Sequence, residues 1–397
     1  MAGNGNGRRL RGKCAIVGLG LTEMGKIYGR SADELAAEAL DRALDNAGLL
    51  PEHMDGLLTS AGLSGAPTIS LQNYMGLKDL RLLNQMNAFG ATAASMIQFA
   101  TLAIDAGMAH VVGCVFADTP LKEGVSAGQA FSRTGVASQP GGYASLMAAY
   151  GYFGANSGYV LAARRHMDLY GTTSRQFGAI AVSTRAWAAM NPHAQKREPI
   201  TLEDLQNSRY IVEPLRLLDC CQVSNGSVAV IVTSAERARD LRRKPAYVLG
   251  MGQGHPGDTK RGGREPMTET GARLAGQTAF AMAGVTPGDI AACEIYDCYT
   301  YTVLVTLEDY GFCAKGEGGA FVEDGRLGPG GSLPTNTGGG QLSGYYMWGM
   351  TPISEAVMQL QGGAGERQLD NPRYILTTGN GGVLNFHACL VLGSDPD

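Results

Sequence analysis

Two rhythms of apolar and polar positions alternate along the chain. Residues 14–20, CAIVGLG, are an unbroken apolar run ending in glycines, the pattern of a buried strand that opens into a loop. Residues 31–48, SADELAAEALDRALDNAG, change to a helical period, with Ser31 as N-cap, Glu34 completing a capping box and Gly48 as stop. A strand follows at 54–60, so the first unit reads strand, helix, strand. The same unit returns as a strand at 247–254, a helix at 268–284 and a strand at 290–296. Aligning Ala47-Gly48-x-x-Pro51 with Ala283-Gly284-x-x-Pro287 gives an offset of 283 − 47 = 236, which sets the loop after the first unit's second strand opposite Tyr296. A duplicated α/β half is expected.

Each half continues in the same way. Residues 85–107 predict a turn and a helix of Ala, Ser and other small residues, whose close backbone approach implies deep burial, and 110–117 the strand after it. In the second half, 338–360 and 374–378 take those parts, with the helix starting just after Gly344 and with Tyr345 and Tyr346 in its first turn. Two such helices suggest a central helical layer between two sheets. The Gly-, Ser- and Tyr-rich stretch 120–208, with a periodic helix near 159–169, is too long for a bare connection and predicts an inserted lobe over the site or at an oligomer contact. The organisation expected is a first half at 1–119 and 209–243, the inserted lobe at 120–208, and a second half at 244–397.

Composition narrows the classes. Only 17% of residues are charged and 57 are glycine, which suits a tightly packed α/β protein. A net charge of −4 gives no footprint for nucleic acid. The eight cysteines form no CxxC pair and lie mostly in apolar runs, so neither a zinc site nor a disulfide framework is implied. The first residues, MAGNGNGRRLRGK, have no apolar signal core, and no run approaches the length of a membrane helix. A cytoplasmic protein without membrane contact or metal is expected.

Four stretches carry a resemblance: PLRLLDCCQVSNGSVA at 214–229, EIYDCYTYT at 294–302, NTGGGQLSGYYMWG at 336–349 and TGNGG at 378–382. Together they resemble the thiolase superfamily and, within it, the sterol-carrier-protein-x or lipid-transfer-protein subgroup, over nearly the whole length. The resemblance implies a five-layer αβαβα thiolase fold of two similar halves. It also shows departures. Phe89 falls where a thiolase has its acylated cysteine, and a phenyl ring cannot form a thioester. The family's Gly-His-Pro becomes Tyr345-Tyr346-Met347, the Asn or His of the second-half motif becomes Tyr296, and the second cysteine falls on or beside Thr378.

This pattern is similar to the steroid side-chain-cleaving aldolases of the subgroup, which implies retro-aldol cleavage of a β-hydroxyacyl-CoA, with 17-hydroxy-3-oxo-4-pregnene-20-carboxyl-CoA giving androstenedione and propionyl-CoA. Such a reaction needs a base for the hydroxyl, stabilisation of the enolate oxygen and a proton for the α-carbon. Tyr296 and Tyr346 are the candidates for base and proton donor. Asp297 is either an orienting group or a cap. His387 is either a thioester-oxygen or acid/base group, or a satisfied structural histidine. Gly340, Gly379, Gly381 and Gly382 are candidates for backbone contact with substrate, Phe89 for its apolar part, and Lys260, Arg261 and Arg264 for the CoA phosphates. No cofactor is expected, because CoA enters as part of the substrate and leaves in the product. A homodimer and a small partner protein with an OB fold and a zinc ribbon are implied by the resemblance. Two other readings stand beside this one: a CoA-dependent thiolase using Cys298, and a catalytically silent acyl-CoA or lipid-binding subunit.

Overall fold

The computed structural model describes residues 9–132, 149–152, 154–257 and 267–397. The first half supplies β1 (Cys14–Leu21), α1 (Ala32–Ala47), β2 (Gly56–Ser60), β3 (Leu82–Met86), α2 (Thr92–Asp105) and β4 (Val111–Asp118). The inserted lobe supplies α3 (Gly154–Tyr170) and α4 (Ser174–Ala189), and β5 (Gly226–Ser234) returns to the core. The second half supplies β6 (Ala246–Gly254), α5 (Ala272–Ala283), β7 (Ala292–Glu294), α6 (Thr300–Asp309), α7 (Met350–Gln361), β8 (Tyr374–Gly381) and β9 (Phe386–Gly393). The expected offset holds at the strands, since β2 begins at 56 and β7 at 56 + 236 = 292.

Nine strands run in the order β3-β2-β4-β5-β1-β6-β9-β8-β7, nearly palindromic about the β1–β6 seam. That seam consists of two residue pairs, Ala15↔Tyr247 and Ile16↔Ala246, against seven between β1 and β5. The sheet is thus two sheets joined at one edge. Helix α1 packs on β1, β4 and β5, whereas α5 packs on β6 and β9. Helices α2 and α7 lie between, each touching strands of both halves, which is the layered arrangement expected.

Backbone proximity explains where glycine occurs. A Cβ at Gly18 or Gly20 would lie 2.1 Å from the Ala43 carbonyl oxygen or 2.0 Å from that of Ala39, on α1. The second half repeats the device: a Cβ at Gly250 or Gly252 would lie 2.2 or 1.9 Å from the carbonyls of Ala279 or Ala275, on α5. Helix α1 is closed by the Ser31–Glu34 capping box and by Gly48 in the left-handed region, as its sequence predicts. In α2 the buried Gln98 donates to the carbonyls of Gly252 and Cys389, both 3.1 Å away, and accepts from Gln253 at 2.7 Å. A polar side chain in the central layer is therefore satisfied by strands of the opposite half.

The helix expected just after Gly344 begins later. Residues Gly340–Gly344 form one π-turn, Tyr345 is extended, and α7 starts at Met350. Tyr345 and Tyr346 thus sit in a non-helical connection ahead of α7. In the inserted lobe, buried His166 on α3 pairs through Nε2 with Glu308 of α6 at 3.0 Å and through Nδ1 with Thr172 at 2.9 Å. This anchors α3 over the connection from β7 to α6, where the candidate site begins.

Candidate active site

The site forms where the end of β7, the connection before α7 and the start of α2 meet. Tyr296 and Tyr346, 346 − 296 = 50 residues apart, come together with their hydroxyls 3.1 Å apart and their rings edge to face at 6.5 Å. Tyr296 is held by its backbone N–H donating to Thr378 Oγ1 on β8, 3.2 Å away. The Tyr346 N–H donates to Ser224 Oγ at 2.9 Å. Gly90, before α2, makes room: a Cβ there would lie 2.2 Å from Cε2 of Tyr296. Tyr345 points away, its hydroxyl 2.7 Å from Ser354 on α7, and belongs to the packing.

Burial is the first cause that pushes both phenols well above the ordinary tyrosine range; neighbouring Tyr346 adds to the effect on Tyr296, and Cys221 and Cys298 to that on Tyr346. Both are neutral at physiological pH. Each hydroxyl can accept a hydrogen bond while donating one, so the contact has the chemical capacity to pass a proton.

Asp297 is fully buried, with Oδ1 accepting from Gln341 N–H at 2.7 Å and Oδ2 from Leu342 N–H at 3.2 Å. It is the anchor of the π-turn that leads to Tyr346. Burial raises its carboxyl to about 7 against the opposing pull of those two N–H groups. Gly340, at φ +52°, lies against this carboxylate, 2.1 Å from Oδ2 to a Cβ placed there. Asp297 and Gly340 are thus in contact with each other, both buried.

His387 lies opposite Asn380 across β8 and β9, wholly buried, and among the described residues neither ring nitrogen has a hydrogen-bond partner. Burial, then His255, drives it down to about 3, so the ring is neutral. Gly379 and Gly381 lie within β8, where Cβ atoms would meet the Gly90 carbonyl oxygen at 2.4 Å and Phe89 Cβ at 2.6 Å. Gly382, at φ +58°, would meet the Phe386 ring at 2.5 Å. These glycines admit the turn before α2 and two aromatic rings. Phe89 itself is at φ +51° and 42% exposed beside the phenol pair. Lys260, Arg261 and Arg264 lie outside the described residues.

Cys298 is buried at the centre of the cluster, its thiol pushed up to about 12 by burial. Among the described residues no cation is among the groups that favour its thiolate. The sequence reading missed what the inserted helix brings. Tyr159 of α3 accepts from Asn380 Nδ2 at 3.3 Å and packs on Tyr299, ring centroids 4.8 Å apart, while Asn156 hydrogen-bonds the Tyr299 hydroxyl. The Gly-, Ser- and Tyr-rich composition of 120–208 was the available signal for these contacts of α3.

Residues 258–394 match the thiolase C-terminal domain-like family. The chain is 40% identical over 398 residues to the steroid side-chain-cleaving aldolase of Thermomonospora curvata, covering 97% of this chain and 99% of that one. It is also 40% identical over 380 residues to the 17-hydroxy-3-oxo-4-pregnene-20-carboxyl-CoA lyase of Mycobacterium tuberculosis, covering 94% and 97%. Among solved structures, the Ltp2-ChsH2(DUF35) aldolase superposes with a TM-score of 0.87 at 39% identity, covering 98% of this chain and 99% of that one. Human mitochondrial 3-ketoacyl-CoA thiolase in complex with CoA, at 17% identity, TM-score 0.69, and 97% and 98% coverage, shares the fold. The chain belongs to the thiolase superfamily, in the family of the steroid side-chain-cleaving aldolases. Its relatives within that family are lyases.

Proposed function

We propose that this chain is a carbon–carbon lyase that cleaves a steroidal β-hydroxyacyl-CoA, 17-hydroxy-3-oxo-4-pregnene-20-carboxyl-CoA, into androstenedione and propionyl-CoA. The observation that carries this reading is the hydrogen-bonded, neutral Tyr296–Tyr346 pair at 3.1 Å. Two full-length relatives named for steroid side-chain cleavage support the substrate class.

A tertiary alcohol cannot be oxidised to the β-ketone that thiolysis requires, whereas a retro-aldol step needs no oxidation. The O–H bond breaks as C17=O forms, the C17–C20 pair becomes the thioester enolate, and C20 takes up a proton. One proton leaves oxygen and one reaches carbon, so the reaction has no net proton demand. The hydroxyl proton enters the phenol pair at one oxygen while the other delivers a proton to C20. Neither phenol has to exist as free phenolate, in keeping with their raised pKa values. Gly379, Gly381 and Gly382 are assigned the thioester oxygen through backbone N–H groups, and Lys260, Arg261 and Arg264 the CoA phosphates. No cofactor is invoked. The chain acts in the cytoplasm as a homodimer with a small OB-fold, zinc-ribbon partner; the Ltp2-ChsH2(DUF35) aldolase of similar structure supports the presence of a partner protein.

The test supplies the 17-hydroxy-20-carboxyl-CoA substrate with that partner and without free CoA. Formation of the 17-ketone and propionyl-CoA is the expected result. Turnover only of a β-ketoacyl-CoA, and only with free CoA, would move the assignment to a thiolase. Binding of both substrates without turnover would make the chain a binding subunit.

A further inference from the structure

Beside the phenol pair four aromatic side chains form a ladder that the reaction itself does not use. Phe116, at the buried end, stacks on Trp348 with centroids 5.0 Å apart and planes at 19°. Trp348 meets Phe89 at 6.0 Å, and Phe89 stacks on Phe386 at 6.3 Å and 23°. Phe89 and Trp348 both have positive φ, +51° and +47°. Bulky residues in that region cost on the order of 1–3 kcal/mol each and persist only where the surroundings enforce them. Here Gly381 and Gly382 leave the space that Phe89 and Phe386 fill.

The ladder ends in the open. Phe89 and Phe386 are 42% and 36% exposed, whereas Trp348 is 5% exposed. Phe89 immediately precedes Gly90, whose backbone lies against the Tyr296 ring, so the ladder joins the chain at the segment that bounds the phenol pair. Resting on the lyase reading above, we propose that Phe89 and Phe386, braced by Trp348, are a specificity-determining shelf for the flat face of the substrate's fused-ring acyl group. The chemistry of the shelf selects this part of the substrate. A pantetheine arm carries two amides that need hydrogen-bonding partners, and the two exposed phenyl rings offer only carbon; a polycyclic hydrocarbon requires none.

The test compares two substrates, with the proposed partner protein present throughout. One is the steroidal 17-hydroxy-20-carboxyl-CoA; the other is 3-hydroxy-2,3-dimethylbutanoyl-CoA, which has the same reacting centre without rings and yields acetone and propionyl-CoA. Phe386→Ala is expected to lower kcat/KM for the steroid relative to the short substrate by about ten- to a hundredfold, as loss of a large apolar contact implies. Phe386→Leu should recover part of that ratio. If kcat/KM falls equally for both substrates, the shelf lies under the thioester arm and the proposal is overturned. An unchanged ratio overturns it too. Turnover of the short substrate reads the lyase reaction separately, so failure of the shelf and failure of the lyase assignment are told apart.

Discussion

At the scale of single residues, the arrangement of two buried phenols dictates what their removal does. Tyr296→Phe and Tyr346→Phe should each lower kcat by about 10²–10⁴, the range for a lost proton-transfer group, while the circular dichroism of the fold is unchanged. The two variants are distinguishable. Exchange of the α-protons of propionyl-CoA in D2O, followed by NMR, should be lost with the carbon-facing phenol and retained with the other; retention in both would sink the relay. Cys298, with its thiol pushed up to about 12, should be dispensable, so Cys298→Ala is expected to keep lyase activity within a fewfold. Asp297 gives a pH prediction. Its folded-state value near 7 lies above the ordinary aspartate value of 3.8, so its contribution to stability is complete below about pH 4 and is lost as pH rises toward 7. Thermal midpoints should decline over that window, and Asp297→Asn should flatten the decline. An unaltered slope would show that another group carries it.

At the scale of elements, close approach of helix to strand is what the glycines of β1 and β6 secure. Gly252→Ala places a methyl group 1.9 Å from the Ala275 carbonyl and should destabilise the fold by about 1–3 kcal/mol, measured by chemical denaturation. Elements whose signals are local were legible. Ser31, Glu34 and Gly48 specify α1 from within its own turns, and the 236-residue offset was readable because β2 and β7 retain their spacing. The meeting of Tyr296 with Tyr346 was reached through resemblance, since spacing alone does not join residues on different elements. The π-turn before Tyr345 was not legible. It depends on a carboxylate from Asp297 capping two N–H groups more than forty residues later, a contact that no local pattern encodes. Tyr159 was missed for the same reason, because its partner Asn380 is 221 residues away.

At the scale of the whole molecule, among the described residues no helix is long and apolar enough to cross a membrane. Strand β3 ends the sheet with Asn84 and Gln85 exposed, leaving one edge for pairing. Light scattering should give the mass of a dimer, and a monomeric mass at micromolar concentration would remove the homodimer from the proposal. The narrow seam between β1 and β6 has a wider consequence. Two residue pairs join the two halves of the sheet, while α2 and α7 each touch strands of both. Each repeat thus keeps part of its interior in the other. Descent by duplication made two copies, yet a unit of ancestry is not here a unit of stability. Severed near residue 244, the fragments should remain unfolded when made apart and regain structure only when produced together.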